Sequence, residues 1–192
     1  MTLEEIEQEI EAMSATQSPG ARFKKALSHQ PPLQIVGTIN AYSAMLAEKA
    51  GHRSIYLSGS GVASASHGLP DLGLTTMHDV LMDAERICNA SDLPLLVDID
   101  TGWGGPANIA RSIRLLEKAG VSAVHIEDQI ERKRCGHSPG KTIVEPREMI
   151  GRIEAACDAR NDRDFMIMAR SDALATEGME ATIERARLDG EG

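Results

Sequence analysis

Five short apolar runs, each followed by a stretch with helical periodicity, constrain the fold of this chain more than any other feature. The runs are apolar throughout instead of alternating with polar residues, which is typical of parallel strands covered on both faces. The sequence therefore predicts an α/β fold of five βα units. The predicted strands are Leu33–Gly37, Ser54–Leu57, Leu95–Ile99, Ala123–Ile126 and Phe165–Ala169, and helices follow near Ala41–Ala50, Met77–Asn89, Pro106–Ala119, Pro146–Arg160 and from Met179.

Two helices are expected before the first strand. Apolar residues at helical spacing predict an amphipathic helix over residues 2–15, which Ser18-Pro19-Gly20 ends. A second helix is expected over about Ala21–Ser28, before Pro31-Pro32. We therefore divide the chain into an N-terminal helix, residues 1–17, and an α/β domain, residues 18–192.

Composition narrows the class of protein. The chain has 192 residues and a formal net charge of −9 at pH 7, which argues against nucleic acid or an anionic membrane as the main partner. Its apolar runs are far shorter than the roughly 20 residues of a membrane-spanning helix. The acidic start of the sequence is unlike a secretory signal, and three cysteines without a CxxC pair fit a reducing compartment. We expect a cytoplasmic protein.

Polar residues cluster where four of the predicted strands end. In parallel α/β proteins the chemistry lies at the carboxyl ends of the strands, so these residues are candidates for an active site. They are Ser58–Gly61 and Asp71 after the second strand, Asp98 and Asp100 at the third, Glu127, Asp128 and Lys133–His137 after the fourth, and Arg170 and Asp172 after the fifth.

Asp98 and Asp100 form a candidate metal site. They are two residues apart on the predicted third strand, so their side chains are expected to share a face. Two carboxylates that point together repel each other unless protons or a cation intervene. Oxygen ligands favour Mg²⁺ or Mn²⁺, which keep several waters. A helix N-cap followed by a solvated loop aspartate is the alternative.

Cys135 is a candidate acid–base group because Lys133, Arg134 and His137 surround it in sequence, and cations lower the pKa of a thiol. An incidental loop cysteine is the alternative, and a zinc site is weaker because Cys-x-His supplies two ligands. Cys88 and Cys157 are predicted to be core residues. The Ser58–Gly61 segment either cradles an anion or forms an ordinary turn. His125 is interpreted as a strand residue.

Several of these motifs resemble the isocitrate lyase and phosphoenolpyruvate mutase superfamily. The Lys-Arg-Cys-Gly-His run is the most specific and is similar to the lyase branch, and the compact spacing resembles the 2-methylisocitrate lyases. The resemblance covers about residues 18 to 188. The motifs are Ser58-Gly59-Ser60-Gly61, Leu69-Pro70-Asp71, Asp98-Ile99-Asp100-Thr101-Gly102, His125-Ile126-Glu127-Asp128-Gln129 and Lys133-Arg134-Cys135-Gly136-His137.

The resemblance implies a (β/α)₈ TIM barrel, of which this chain carries about five units as a partial barrel lyase domain over residues 18–192. It implies Mg²⁺-dependent cleavage of 2-methylisocitrate, a small-molecule tricarboxylate, to pyruvate and succinate in the methylcitrate cycle of propionate catabolism. It also implies a homotetramer for the full-length family. Glutamate, asparagine and a further arginine that the family takes from later strands have no counterpart here.

The resemblance also implies roles for single residues. Asp98 and Asp100 are expected to hold Mg²⁺, or Mn²⁺ in its place, and Cys135 is expected to protonate carbon as a general acid. Lys133 and His137 are expected to set the field around the thiol. Tyr56 and Asp71 match positions near the reacting centre. The residues expected to bind the substrate carboxylates are Ser58, Gly59, Ser60, Gly61, Cys135, Gly136 and Arg170.

Three alternatives remain open from the sequence. Ser60 stands where the family usually has glycine, which either crowds the anion loop or adds a donor. An open five-stranded sheet leaves its edges unpaired, so a non-catalytic fragment is one alternative. Isocitrate lyase and oxaloacetate decarboxylase, which belong to the same superfamily, are the other two.

Overall fold

The computed structural model describes residues 17–29 and 31–191, so the helix expected over residues 2–15 lies outside the described residues. Within them the strands are β1 Val36–Gly37, β2 Ile55–Leu57, β3 Leu95–Asp98, β4 Ala123–Glu127 and β5 Met166–Arg170. The longer helices are α1 Pro19–His29, α2 Ala41–Lys49, α3 Met77–Cys88, α4 Pro106–Lys118, α5 Pro146–Ala159 and α6 Met179–Glu191.

The described strands form one parallel sheet in the order β1-β2-β3-β4-β5. Each strand pairs with its successor in the chain, and a helix follows each strand, as in an arc of a (β/α) barrel. The predicted α/β fold with five βα units is therefore confirmed. None of the described helices is both long and apolar enough to cross a membrane.

The main core lies between one face of the sheet and helices α2 to α5. It is built from fully buried aliphatic side chains such as Leu57 and Val97 of the sheet, and Ile87, Ile113 and Ala156 of the helices. Burial of such side chains is the dominant favourable term in folding.

The helices begin where the sequence offers good caps. Asn40 and Thr76 accept hydrogen bonds from the third residue of α2 and α3, and Ser43 and Asp79 bond back to the capping residue. Helices α4 and α5 begin with proline, whose missing N–H costs nothing in the first turn.

Helix α1 closes the other face of the sheet at its amino-terminal end. Its Phe23 is fully buried against Leu96 and Ala123. A Cβ on Gly20 would lie 2.3 Å from the carbonyl carbon of Asp164, so the close approach of α1 requires glycine. Ser18-Pro19-Gly20, which was expected to end a preceding helix, starts α1 instead.

The segment after β2, for which an anion cradle or an ordinary turn was expected at Ser58–Gly61, has a more regular structure. It is helical, with an α-helical turn over Gly59–Gly61 that continues as a π-helix over Val62–Ser66. The Ser58 side chain starts the turn by accepting a hydrogen bond from the Gly61 N–H at 3.3 Å. Glycine and serine have low helix propensity, so the local pattern gave no helical signal.

Candidate active site

Side chains inside the arc change from apolar to polar toward the carboxyl ends of the strands. Near Phe23 the side chains on three neighbouring strands are apolar, and they are paired in register: Leu96, Ala123 and Met166. Two residues further along, Asp98 pairs in register with His125, and beyond that Glu127 pairs with Arg170. The strands thus present their ionisable groups together at one edge, as predicted.

Asp98 and Asp100 come together through a turn. Strand β3 ends at Asp98, and Asp100 lies beyond it with φ 49°, in the left-handed region. The Asp98 Oδ1 accepts the Asp100 N–H at 3.0 Å. The expectation that both residues lie on the strand is wrong for Asp100, because this Asx-type turn replaces the strand after Asp98.

The two carboxylates nevertheless converge opposite Gly59. A Cβ on Gly59 would lie 3.1 Å from Asp100 Oδ1 and 3.2 Å from Asp98 Oδ2. The Gly59 N–H also donates to Asp98 Oδ2 at 3.2 Å. Glycine therefore lets the backbone after β2 pass close to both carboxylates.

Lys133 forms ion pairs with two of three aspartates that we together call the carboxylate group, namely Asp71, Asp98 and Asp100. Its Nζ lies 2.7 Å from Asp71 Oδ1 and also contacts Asp100 Oδ1, and the side chain is 4% exposed. Although burial alone would lower the pKa of Lys133, the neighbouring Asp100 and Asp71 raise it, so the ammonium stays charged. The role expected for Lys133, setting the field around Cys135, gives way to an ion pair with these carboxylates.

The carboxylate group fits a divalent cation. Burial, with the adjacent Asp98 adding to it, raises the pKa of Asp100 to about 6. Lys133 brings one positive charge to three carboxylates, counting Asp71, so a divalent ion would balance the group. Within residues 17–29 and 31–191 no set of three or more His, Cys, Asp or Glu side chains is arranged to hold a metal. Two carboxylates completed by waters suit Mg²⁺.

His125 belongs to the site, although it was interpreted only as a strand residue from the sequence. Its Nε2 lies 2.9 Å from the Tyr56 hydroxyl, its Nδ1 lies 3.6 Å from Asp98 Oδ1, and its ring stacks on that of Tyr56 with centroids 5.6 Å apart. Burial lowers the pKa of His125 and raises that of Tyr56, which keeps the imidazole and the phenol neutral. Inward-facing polar residues at every second strand position are the signal that could have found it.

The thiol loop, which we define as Lys133–His137, reaches the same edge. The Cys135 Sγ lies 3.8 Å from His137 Nδ1, so the expected neighbourhood of these two side chains is present. The Cys135 carbonyl accepts the Ser138 N–H at 2.8 Å, which closes a turn around the cysteine.

Arg170 lies against this loop. A Cβ on Gly136 would be 2.1 Å from an Arg170 guanidinium nitrogen. The Arg170 side chain is 34% exposed, and its guanidinium lies 3.4 Å from Glu127 Oε2 and 3.6 Å from Asp172 Oδ2. Burial raises the pKa of Glu127 to about 8 despite the opposing charge of Arg170. A partly exposed guanidinium can pair with a carboxylate of a ligand.

Two amides of the Ser58–Gly61 segment are already engaged. The Gly59 N–H donates to Asp98, and the Gly61 N–H donates to Ser58 Oγ. The side chains of Ser58 and Ser60 are half-buried. A direct contact of this segment with substrate stays a prediction.

A cavity of about 390 Å³ adjoins the carboxylate group and is lined by Asp100, Lys133, Trp103, His78 and Arg111, among others. A slightly larger cavity of about 420 Å³ lies near the amino-terminal ends of α4 and α5. The smaller one is the more relevant to chemistry, because it contacts the ionisable groups.

Comparison with known proteins places this geometry in a family. The sequence profile of the phosphoenolpyruvate phosphomutase family matches residues 23–188. A 2-methylisocitrate lyase of Shewanella oneidensis is 63% identical over 172 residues, which are 90% of this chain and 59% of that protein. A 2-methylisocitrate lyase of Vibrio cholerae is 64% identical over 88% of this chain and 55% of its own length. The chain thus spans a little over half the length of these curated relatives.

Solved structures agree with the sequence comparison. A 2,3-dimethylmalate lyase, described as a member of the PEP mutase/isocitrate lyase superfamily, superimposes with a TM-score of 0.84 at 37% identity, covering 92% of this chain and 60% of that one. A phosphonopyruvate hydrolase in complex with oxalate and Mg²⁺ gives a TM-score of 0.77 at 31% identity, covering 91% and 60%. With its parallel βα arc and matching profile, the chain belongs to the phosphoenolpyruvate mutase/isocitrate lyase superfamily.

Proposed function

We propose that the protein containing this chain is a Mg²⁺-dependent carbon–carbon lyase that cleaves 2-methylisocitrate to pyruvate and succinate in propionate catabolism. The observation that carries the proposal is the meeting of a carboxylate group, a thiol loop and a half-exposed arginine at one sheet edge. Relatives 57–64% identical to this chain are 2-methylisocitrate lyases, which supports the choice of substrate.

The substrate carboxylates are bound by residues that offer hydrogen-bond donors at the carboxyl ends of the strands. Arg170 presents the exposed part of its guanidinium to a carboxylate of the tricarboxylate substrate. The amides of Cys135 and Gly136 and the hydroxyls of Ser58 and Ser60 take the remaining carboxylate oxygens.

Asp98 and Asp100 would hold Mg²⁺, with Lys133 and Asp71 fixing the position of Asp100. When bound, the ion supplies Lewis acidity at the substrate hydroxyl and the adjacent carboxylate. Tyr56 keeps its proton because of its raised pKa, so it acts as a hydrogen-bond donor that orients the substrate.

Cys135 carries the proton transfer. Breaking the bond between C2 and C3 of the substrate leaves an electron pair on the carbon that becomes a methylene of succinate. The Cys135 thiol gives its proton to that carbon, the substrate hydroxyl releases its proton to solvent water, and the thiolate takes a proton back from solvent before the next turnover. His137 lies 3.8 Å from the sulfur and is placed to stabilise the thiolate that remains.

An assay on a panel of substrates tests the proposal. The protein that contains this chain should release pyruvate from 2-methylisocitrate in the presence of Mg²⁺, and Cys135→Ser should abolish the release while leaving Mg²⁺ binding intact. Turnover of isocitrate or oxaloacetate in place of 2-methylisocitrate would support the other superfamily activities instead. A folded chain that releases no pyruvate would support the non-catalytic alternative.

The same proposal includes a cytoplasmic location and a homotetramer. Sedimentation velocity measures the oligomeric state. A monodisperse monomer would contradict the tetramer.

A further inference from the structure

The thiol loop is the tip of a longer excursion that follows β4. Asp128 and Ile130 exchange backbone hydrogen bonds with Val144 and Thr142, and Gln129 bridges to Ile143 in antiparallel fashion. These paired residues form the base of the excursion. The backbone carbonyl and amide groups of the thiol loop, which lies beyond this base, therefore need hydrogen-bond partners among nearby side chains.

The Gln129 side chain supplies the first of these partners. It is 1% exposed, and its Oε1 accepts the Arg134 N–H at 3.0 Å while its Nε2 donates to the Arg134 carbonyl at 2.9 Å. The amide thus pairs with both backbone groups of Arg134, the residue that precedes Cys135. Nε2 also reaches Glu127 Oε1 at 2.9 Å and Asp172 Oδ2 at 3.1 Å. Its acceptor neighbours fix which end of the amide is nitrogen.

Lys141 supplies the second tie, on the other side of the cysteine. Its ammonium donates to the Gly136 carbonyl and lies 2.8 Å from Asp172 Oδ1, and its side chain is 7% exposed. Asp172 is held in turn, because its N–H donates to Asp128 Oδ1 at 2.9 Å. One buried carboxylate therefore connects the Gln129 tie to the Lys141 tie.

We propose that Gln129, Lys141 and Asp172 form a clamp of positioning residues that holds Cys135 and Gly136 in the geometry needed for proton transfer. The ties fix the backbone on both sides of the thiol, at Arg134 and at Gly136. Neither Gln129 nor Lys141 is needed to touch substrate, so each acts through the loop. The inference deepens the proposed function. The expected loss of catalytic rate rests on that function, whereas the expected change in the reactivity of the Cys135 thiol does not depend on it.

Gln129→Met removes the amide and keeps the side-chain length. We expect kcat on 2-methylisocitrate to fall roughly 10- to 100-fold, because the thiol is no longer held in line with the carbon, with a smaller rise in KM because the Cys135 and Gly136 amides also bind substrate. We also expect iodoacetamide to modify Cys135 at least about threefold faster, measured by mass spectrometry of its peptide in the native protein.

Two further variants complete the experiment. Lys141→Met should show the same kinetic split and faster alkylation, and Lys141→Arg, which keeps the donors, should restore most of both. Gln34→Leu, at an exposed glutamine, is the matched control and should change neither. If Gln129→Met does not fold, the two Lys141 variants decide.

Unchanged alkylation of Cys135 in a folded Gln129→Met or Lys141→Met protein would overturn the clamp. So would a kcat within about twofold of the native value in an active enzyme. If the protein that contains this chain has no lyase activity, the proposed function fails, and the alkylation rates alone still decide whether the clamp exists.

Discussion

The Gly136 backbone lies so close to the Arg170 guanidinium that a Cβ on Gly136 would be 2.1 Å from the nearer nitrogen. This contact joins the thiol loop to the end of β5. In its present position the guanidinium, which also lies 3.4 Å from Glu127 and 3.6 Å from Asp172, leaves no room for a side chain at residue 136.

Gly136→Ala should therefore displace either the loop or the arginine. We expect the kcat/KM for 2-methylisocitrate to fall about 10- to 100-fold, because a shift of about 1 Å moves a group that positions the substrate. Gly151→Ala is the control, since a Cβ there meets nothing within 4 Å and should leave activity unchanged. Equal activity of the two variants would contradict the contact.

Gly59→Ala tests whether the two carboxylates form the metal site. Its Cβ would press on Asp98 and Asp100 at 3.2 and 3.1 Å, so these side chains must shift by a few tenths of an ångström. We expect the Kd for Mg²⁺, measured by isothermal titration calorimetry, to rise about tenfold, or ~1.4 kcal/mol. Gly37→Ala, with open space around its Cβ, should bind like the native chain. An unchanged Kd in Gly59→Ala would place the metal elsewhere.

Much of the fold was predictable because the local signals agreed with one another. Apolar runs, caps and helix-breaking residues defined the five βα units, and the strand ends identified the carboxylates, the thiol and Arg170. Contacts that depend on strand register were harder to predict from the sequence. His125 contacts Tyr56 because β2, β3 and β4 pair side by side, which is a non-local property. Lys133 contacts Asp71 and Asp100 instead of its sequence neighbour Cys135, because a buried ammonium needs a counter-charge.

Lys133→Met should destabilise the metal-free protein. It leaves buried carboxylates without a cation, and breaking a buried ion pair from one side costs about 3–5 kcal/mol. Urea unfolding should show a loss of this order in the free energy of unfolding. Lys49→Met, at an exposed position at the end of α2, is the control, and an equal small effect of both variants would argue against the buried ion pair.

The stability of the metal-free protein should depend on Glu127 near neutral pH. Burial raises its pKa from the ordinary 4.5 to about 8, so the folded state binds more protons than the unfolded state between these values. Stability contributed by the protonated carboxyl is fully present below about 4.5 and is lost as the pH rises through about 8. Asp100 acts in the same sense, but mainly below its pKa of about 6.

Burial lowers the pKa of His125 from its ordinary 6.5, which acts in the opposite sense in the lower part of the interval between pH 6 and 8. The Glu127→Gln variant retains this His125 contribution, so the difference between it and the native chain in the slope of the unfolding free energy against pH reports on Glu127. With rising pH the native chain should lose more stability, or gain less, than Glu127→Gln. Glu85→Gln, an exposed residue of α3, changes the net charge equally and serves as the control. Identical slopes for the native chain and Glu127→Gln would count against a protonated Glu127.

The fate of the thiol proton tests the central claim most directly. In D₂O the Cys135 thiol exchanges its proton for deuterium, and cleavage of 2-methylisocitrate in the presence of Mg²⁺ should give pyruvate together with succinate that carries one deuterium per molecule, detected by mass spectrometry. Cys135→Ser should produce neither. Succinate without deuterium, or formed equally well by Cys135→Ser, would contradict the account.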